Sequence, residues 1–162
     1  ENFQFKADLS YIFGFLNPAK ETFLAGLKDH GFDFQSEYLG FENLIHPKAY
    51  LSADSYLGAG NYLGPMSVVA PGTRIGNFNY INRCASIGHD VQIGDFNHFG
   101  PGAVVCGNCK IGSKNYLGAN STLIDGKNLA NGITVGAGGL VRTNLLESGT
   151  YVGVPVKKLS QT

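Results

Sequence analysis

Two histidines nine residues apart, one of them followed by an aspartate, are the side chains of this sequence best suited to move a proton. His89 sits in Ile87-Gly88-His89-Asp90, and His98 immediately precedes Phe99. Imidazole exchanges its proton near neutral pH, and an adjacent carboxylate can orient the ring or raise its basicity. The remaining histidines read as structural: His30 at the end of a predicted helix, where its charge suits the dipole, and His46 before Pro47 at a junction. Cys106-x-x-Cys109 invites a zinc or redox reading, but zinc wants a second pair and only Cys84 remains. His89 and His98 likewise fall short of a three-histidine zinc site, so no metal is expected. No P-loop is present, and no G-x-G-x-x-G follows a strand.

Composition narrows the classes of function. Of 162 residues, 23 are glycine, about twice the usual share. Hydrophobic residues make up 43 % and charged residues only 15 %, with 12 basic against 12 acidic side chains. So apolar and uncharged a chain is not disordered. It also lacks the basic excess of a nucleic-acid module. No apolar run is long enough for a membrane span. The opening Glu1-Asn2-Phe3-Gln4-Phe5-Lys6 is unlike a signal peptide, and three cysteines do not form a disulfide framework. These features predict a soluble, cytoplasmic protein with neither nucleic-acid nor membrane partners.

What must position the histidines is a repeat. Stepping by six from Ile45 meets Leu51, Leu57, Leu63 and so on to Val141, seventeen apolar residues without an exception. The next position is mostly glycine, as at Gly58, Gly64, Gly88, Gly94, Gly112 and Gly118. Four residues after each rung comes a small or modest side chain, such as Ala49, Asn61, Ser67, Thr73, Asn79, Asn97 or Cys109. A helix would repeat every three or four residues. Period six suits short parallel strands joined by tight corners, one aliphatic side chain per strand pointing inward. Three strands close a triangular coil of eighteen residues, with glycine and asparagine supplying positive φ at the corners. Residues 45–144 then form five to six coils of a hexapeptide-repeat β-helix, stacked about 4.8 Å apart.

The flanks read differently. Ser10 to Leu16 is a predicted strand, Asn17-Pro18 a helix cap and first turn, and Phe23, Leu24 and Leu27 one helix face that stops at Gly31. A second strand is predicted from Gly31-Phe32-Asp33-Phe34. Residues 1–44 are thus a small α/β segment, too short for its own core. Residues 145–162 leave the period and are expected to cap the last coil.

Stacking gives the histidine a neighbour. Eighteen residues beyond His89 is Gly107, one coil along the axis, where the absence of a side chain should leave the backbone N–H accessible beside the ring. A base beside an exposed N–H is what acyl transfer needs: one group takes a proton, the other holds an oxyanion. Asp90 is a candidate to orient the ring, although adjacent residues on a strand point apart. The alternative is two polar corner histidines with no role in chemistry.

The run Ile81-Asn82-Arg83-Cys84-Ala85-Ser86-Ile87-Gly88-His89-Asp90-Val91-Gln92-Ile93-Gly94-Asp95-Phe96 resembles the central motif of the hexapeptide-repeat sugar O- and N-acetyltransferases, the sialic acid O-acetyltransferase-like enzymes that acetylate nucleotide-linked amino sugars. His98, Pro101-Gly102, Gly107, Asn43-Leu44-Ile45-His46-Pro47 and the closing Val152-Gly153-Val154-Pro155-Val156-Lys157 extend the resemblance over most of the chain. It implies a left-handed parallel β-helix, a homotrimer, and acetyl-CoA held between neighbouring β-helices. It also implies roles: His89 as catalytic base, Asp90 as its support, His98 near the thioester and Gly107 as donor to the carbonyl oxygen. Ala119 and Ala137 match positions whose backbone meets the pantetheine arm, and Lys157 and Lys158 are placed to meet CoA phosphates. Members open with a fuller Rossmann-like unit whose glycine-rich turn holds the nucleotide-sugar. Here only its later half is recognisable, from about Ala7, so Asn17 and Pro18 stand for that pocket.

The expected reaction is direct transfer to a sugar amine with acetyl-CoA as co-substrate and no enzyme nucleophile. Sugar O-acetylation would use the same parts. The rival of another class is a non-catalytic β-helix scaffold.

Overall fold

The computed structural model describes residues 41–160, so the predicted N-terminal strand, helix and strand, with Asn17, Pro18 and His30, lie outside the described residues. Every strand from Leu44–Ile45 to Leu140–Val141 contains one rung residue, and all but one are two residues long. They assemble into three sheets, each forming one face of a triangular prism. The first face stacks Leu44–Ile45, Tyr62–Leu63, Tyr80–Ile81, His98–Phe99, Tyr116–Leu117 and Ile133–Val135. The second stacks Tyr50–Leu51, Val68–Val69, Ser86–Ile87, Val104–Val105, Thr122–Leu123 and Leu140–Val141. The third runs from Tyr56–Leu57 through Arg74–Ile75, Gln92–Ile93 and Lys110–Ile111 to Asn128–Leu129. Pairing is parallel with a register of eighteen, as His98 opposite Tyr116 and Ser86 opposite Val104. This is the left-handed parallel β-helix that the resemblance implies, with about six turns.

The rungs are its core. From Leu63 to Val141 each is buried, whereas Leu51 and Leu57 are half-covered and Ile45, on the first coil, is 40 % exposed. From Asn61 to Ser121 the residues four positions after the rungs are buried too, and the asparagines among them bond from coil to coil. Asn61, Asn79 and Asn97 each accept, through Oδ1, the backbone N–H of the asparagine eighteen residues on, at 2.8–2.9 Å. Asn115 ends the ladder by accepting from Ile133 N at 2.6 Å. Carbonyl oxygens of side chains thereby satisfy backbone donors that the corners leave without a sheet partner.

Glycine does two jobs at the corners: Gly60, Gly72, Gly102, Gly126, Gly132 and Gly138 take positive φ as expected, and others make room. Positive φ falls three residues after the rung, and eight of those positions are not glycine: Met66, Phe78, Cys84, Asp90, Phe96, Asn108, Lys114 and Asn120. The glycines directly after the rungs are there for space. A Cβ on Gly88 would lie 2.8 Å from the Gly107 nitrogen, and one on Gly118 2.6 Å from the Ala137 nitrogen. At these corners the backbones of successive coils pass too closely for a side chain between them.

Past Val141 the coils shorten. Leu145 bridges Leu129 and Tyr151 pairs with Val135, both at a spacing of sixteen. Leu145 and Tyr151 are still buried, so the prism continues to that point. Val156–Lys158 then returns antiparallel along Gly149–Gly153 and covers the end.

Ile93→Ala should lower the unfolding free energy by about 2–5 kcal/mol, and Leu51→Ala by less, because the second rung is already partly open. Asn97→Ala should cost as much as the first, since it strands the buried N–H of Asn115 as well as removing a side-chain bond. Denaturant unfolding measures all three.

Candidate functional site

His89 lies on the corner that follows the second face, where the chain turns from Ile87 towards Gln92. Its neighbour Asp90 is not on a strand: it takes a left-handed conformation, φ 55°. That twist turns the carboxylate back onto the imidazole, and Asp90 Oδ2 lies 2.9 Å from His89 Nδ1. Extended residues in sequence would have pointed apart, so the left-handed corner is what makes an Asp–His pair from adjacent positions. Gly72, one coil below, leaves the space for it, because a Cβ there would run into Asp90 Oδ1.

The other ring nitrogen faces Gly107. A Cβ on Gly107 would lie 2.5 Å from His89 Nε2 and 2.7 Å from Cε1, so the imidazole rests on the bare Gly107 backbone. A carboxylate can only accept, which places the proton of neutral His89 on Nδ1 and leaves the Nε2 lone pair to bind a proton. Both side chains stay more than half exposed, at 57 % and 62 %, so a substrate can reach them.

The Gly107 N–H is not accessible in the way the sequence suggested. It donates to Asp125 Oδ1 at 3.1 Å, across one further coil. Asp125 was not singled out by sequence, although a second step of eighteen from His89 lands on it.

The other expected site residues sit elsewhere on the same chain. His98 is on the outer surface of the first face, between Tyr80 and Tyr116, with ring centroids 4.9 and 5.0 Å away. Tyr62 stacks on Tyr80 at 4.4 Å and continues the aromatic column. Ala119 and Ala137 occupy the corner that follows the first face. Their backbone N–H groups make no hydrogen bond among the described residues. Four of the five equivalent groups on the third corner are capped: Ala59 by Asn77, Asn77 by Asp95, Asp95 by Ser113 and Ser113 by Asn131. Lys157 is exposed on the closing strand, and Lys158 is paired with Glu147 at 2.9 Å. Within one chain, then, His89, Asp90 and Gly107 come together, while His98, Ala119, Ala137 and Lys157 do not join them.

The cysteines do not form a site. Cys109 is buried in a core position and donates to Ile124 O at 3.2 Å. Burial pushes the thiols of both Cys106 and Cys109 up, and the Asp125 carboxylate adds to the effect, which disfavours the thiolate that metal or redox work requires. Among the described residues no three His, Cys, Asp or Glu side chains gather as a metal site. No helix among them is long and apolar enough to cross a membrane.

Residues 72–107, which contain the His89 corner, match the bacterial transferase hexapeptide (six repeats) family. No curated protein matches the chain by sequence. Solved structures do match. One is perosamine N-acetyltransferase from Caulobacter crescentus, in complex with CoA and GDP-perosamine, at 29 % identity and a TM-score of 0.77, over 87 % of this chain and 64 % of that one. Another is the acetyltransferase domain of PglB from Neisseria gonorrhoeae, at 26 % identity and a TM-score of 0.76, over 86 % of this chain and 65 % of that one. WeeI from Acinetobacter baumannii shares the fold, with a TM-score of 0.83 at 24 % identity over 95 % of this chain and 73 % of that one. The chain spans just under two thirds of the length of the first two.

Gly107→Ala is expected to leave the coils intact, because what it displaces is the tip of an exposed ring and not backbone. The His89–Asp90 contact should be lost. Nitrogen chemical shifts of the His89 ring, compared with the parent protein, would register the change.

Proposed function

We propose that this hexapeptide-repeat protein, which has the fold of sugar N-acetyltransferases, transfers the acetyl group of acetyl-CoA to the amine of a nucleotide-linked amino sugar. The observation that carries the proposal is the His89 corner, with Asp90 on Nδ1 and Nε2 over the Gly107 backbone. The likeness to an enzyme solved with CoA and GDP-perosamine supports the choice of co-substrate and acceptor class.

In this reading the neutral sugar amine attacks the thioester carbonyl. His89 Nε2 takes the proton that the amine gives up, and Asp90 stabilises the imidazolium that results. The Gly107 N–H polarises the carbonyl oxygen, and the C–S bond breaks to release CoA as its thiol. The proton held by His89 neutralises the leaving thiolate, so nothing covalent remains on the protein. A hydroxyl acceptor would need the same groups, and sugar O-acetylation is the second reading.

The site is assigned to a homotrimer on the chemistry of the second face. Its outward residues from the first coil to the last are Tyr50, Val68, Ser86, Val104, Thr122 and Leu140, none of them charged. The third face, by contrast, carries Arg74, Gln92 and Lys110 outward. The His89 corner forms one edge of the second face, and the Ala119–Ala137 corner forms the other. Packing three second faces about an axis brings the His89 edge of one chain against the neighbour's Ala119 and Ala137. Their unbonded N–H groups are suited to the amide carbonyls of a pantetheine arm. His98 then flanks the same crevice from the neighbour's first face, and Lys157 is assigned to CoA phosphate. Asn17 and Pro18 remain assigned to the nucleotide-sugar.

His89→Asn should retain trimer and acetyl-CoA binding while acetyl transfer falls by roughly 10² to 10⁴. Release of CoA thiol with an amino-sugar nucleotide as acceptor measures it, and turnover near that of the parent would refute the assignment. Val104→Arg, at the centre of the uncharged face, should yield monomers by light scattering and abolish transfer although His89 is untouched. A variant that stays trimeric would place the interface on another face.

A further inference from the structure

We propose that Asp125 gates the reaction, by holding the Gly107 N–H until the acyl oxygen of the co-substrate replaces it. This rests on the acetyl-transfer reading above. On the His89 corner, successive coils present Pro71, His89, Gly107 and Asp125. Pro71 has no N–H, and the Gly107 N–H points along the axis to Asp125 Oδ1 at 3.1 Å. Gly107 itself is buried, roofed by the His89 ring on one side and the Asp125 carboxylate on the other, whereas Asp125 is exposed.

A carboxylate is a stronger acceptor than a neutral thioester carbonyl, so resting protein favours the Asp125 contact. A carboxylate left beside the developing oxyanion would also repel it. Both effects require the Asp125 side chain to swing into solvent before the carbonyl can be polarised, which its exposure permits. On the third corner, Asn77, Asp95, Ser113 and Asn131 cap the same kind of N–H with no histidine alongside. Those caps are structural. At Gly107 the capped group is the one beside the base, and the same device becomes a competitor of substrate.

Asp125→Ala should therefore tighten acetyl-CoA binding roughly tenfold or more relative to CoA, which carries no acyl oxygen. Titration calorimetry with both ligands gives the ratio. Asp125→Asn keeps an acceptor without the charge and should fall between. Amide hydrogen exchange at Gly107, followed by NMR without any ligand, should accelerate in Asp125→Ala. An unchanged acetyl-CoA to CoA ratio in Asp125→Ala, or unchanged exchange at Gly107, overturns the gate and leaves Asp125 as an ordinary cap. If the parent protein neither binds acetyl-CoA nor releases thiol, the acetyl-transfer reading fails first. A parent that turns over with an unchanged ratio in the variant removes the gate alone.

Discussion

The described structure depends on coils stacked in register at eighteen residues, with corner backbones that pass so closely that nine of the seventeen rungs are followed by glycine. A Cβ at Gly64, Gly88, Gly100 or Gly118 would approach the backbone of the next coil to 2.6–2.8 Å. Real side chains do not tolerate such distances, so those corners need glycine, whereas Ala70, Asn82, Cys106, Ile124 and Ala130 follow rungs at other corners. Once the register is held, each residue stacks on what stands eighteen positions before and after it, and Asn61, Thr73 and Cys109 reach across the corner to the residue fifteen positions on. Buried rungs supply the apolar stabilisation, and the asparagine ladder answers the backbone donors that the corners leave over.

The same constraint builds the site. Among the described residues the environment of His89 is Asp90, Gly107 and, beyond that, Asp125. The left-handed turn at Asp90, which the corner requires of whichever residue occupies it, is also what folds the carboxylate onto Nδ1. A structural demand and a chemical one are met by one residue. Gly72 and Gly107 serve the pair by being empty, the first beneath the carboxylate and the second beneath the ring. The corner thus reads as a column of side chains whose contacts are decided one coil at a time.

A single chain carries the His89–Asp90 pair on one edge and, on another, the N–H groups of Ala119 and Ala137, which make no hydrogen bond among the described residues. An uncharged face lies between them. This separation is what the proposed trimer rests on: a crevice that used both edges would need two chains to meet.

Sequence alone determined the fold over the repeats. An unbroken period of six has few solutions, and parallel pairing at eighteen follows from it because each rung must fall inside the prism. It also put Gly107 beside His89, since that neighbour is a matter of counting. Three things were decided only by the tertiary structure. Positive φ falls three positions past the rung, at six glycines and at eight residues that are not glycine, while close passage of backbones selects the glycine directly after a rung at corners such as Gly88 and Gly118. The Asp90 carboxylate reached His89 because a left-handed residue reverses the alternation of a strand. The Gly107 N–H was already taken, because Asp125 ends the same column and a carboxylate within reach of a backbone donor will bond it. Period fixes which residues are neighbours, but the local backbone angle fixes where each one points, and hydrogen bonding is settled by that direction.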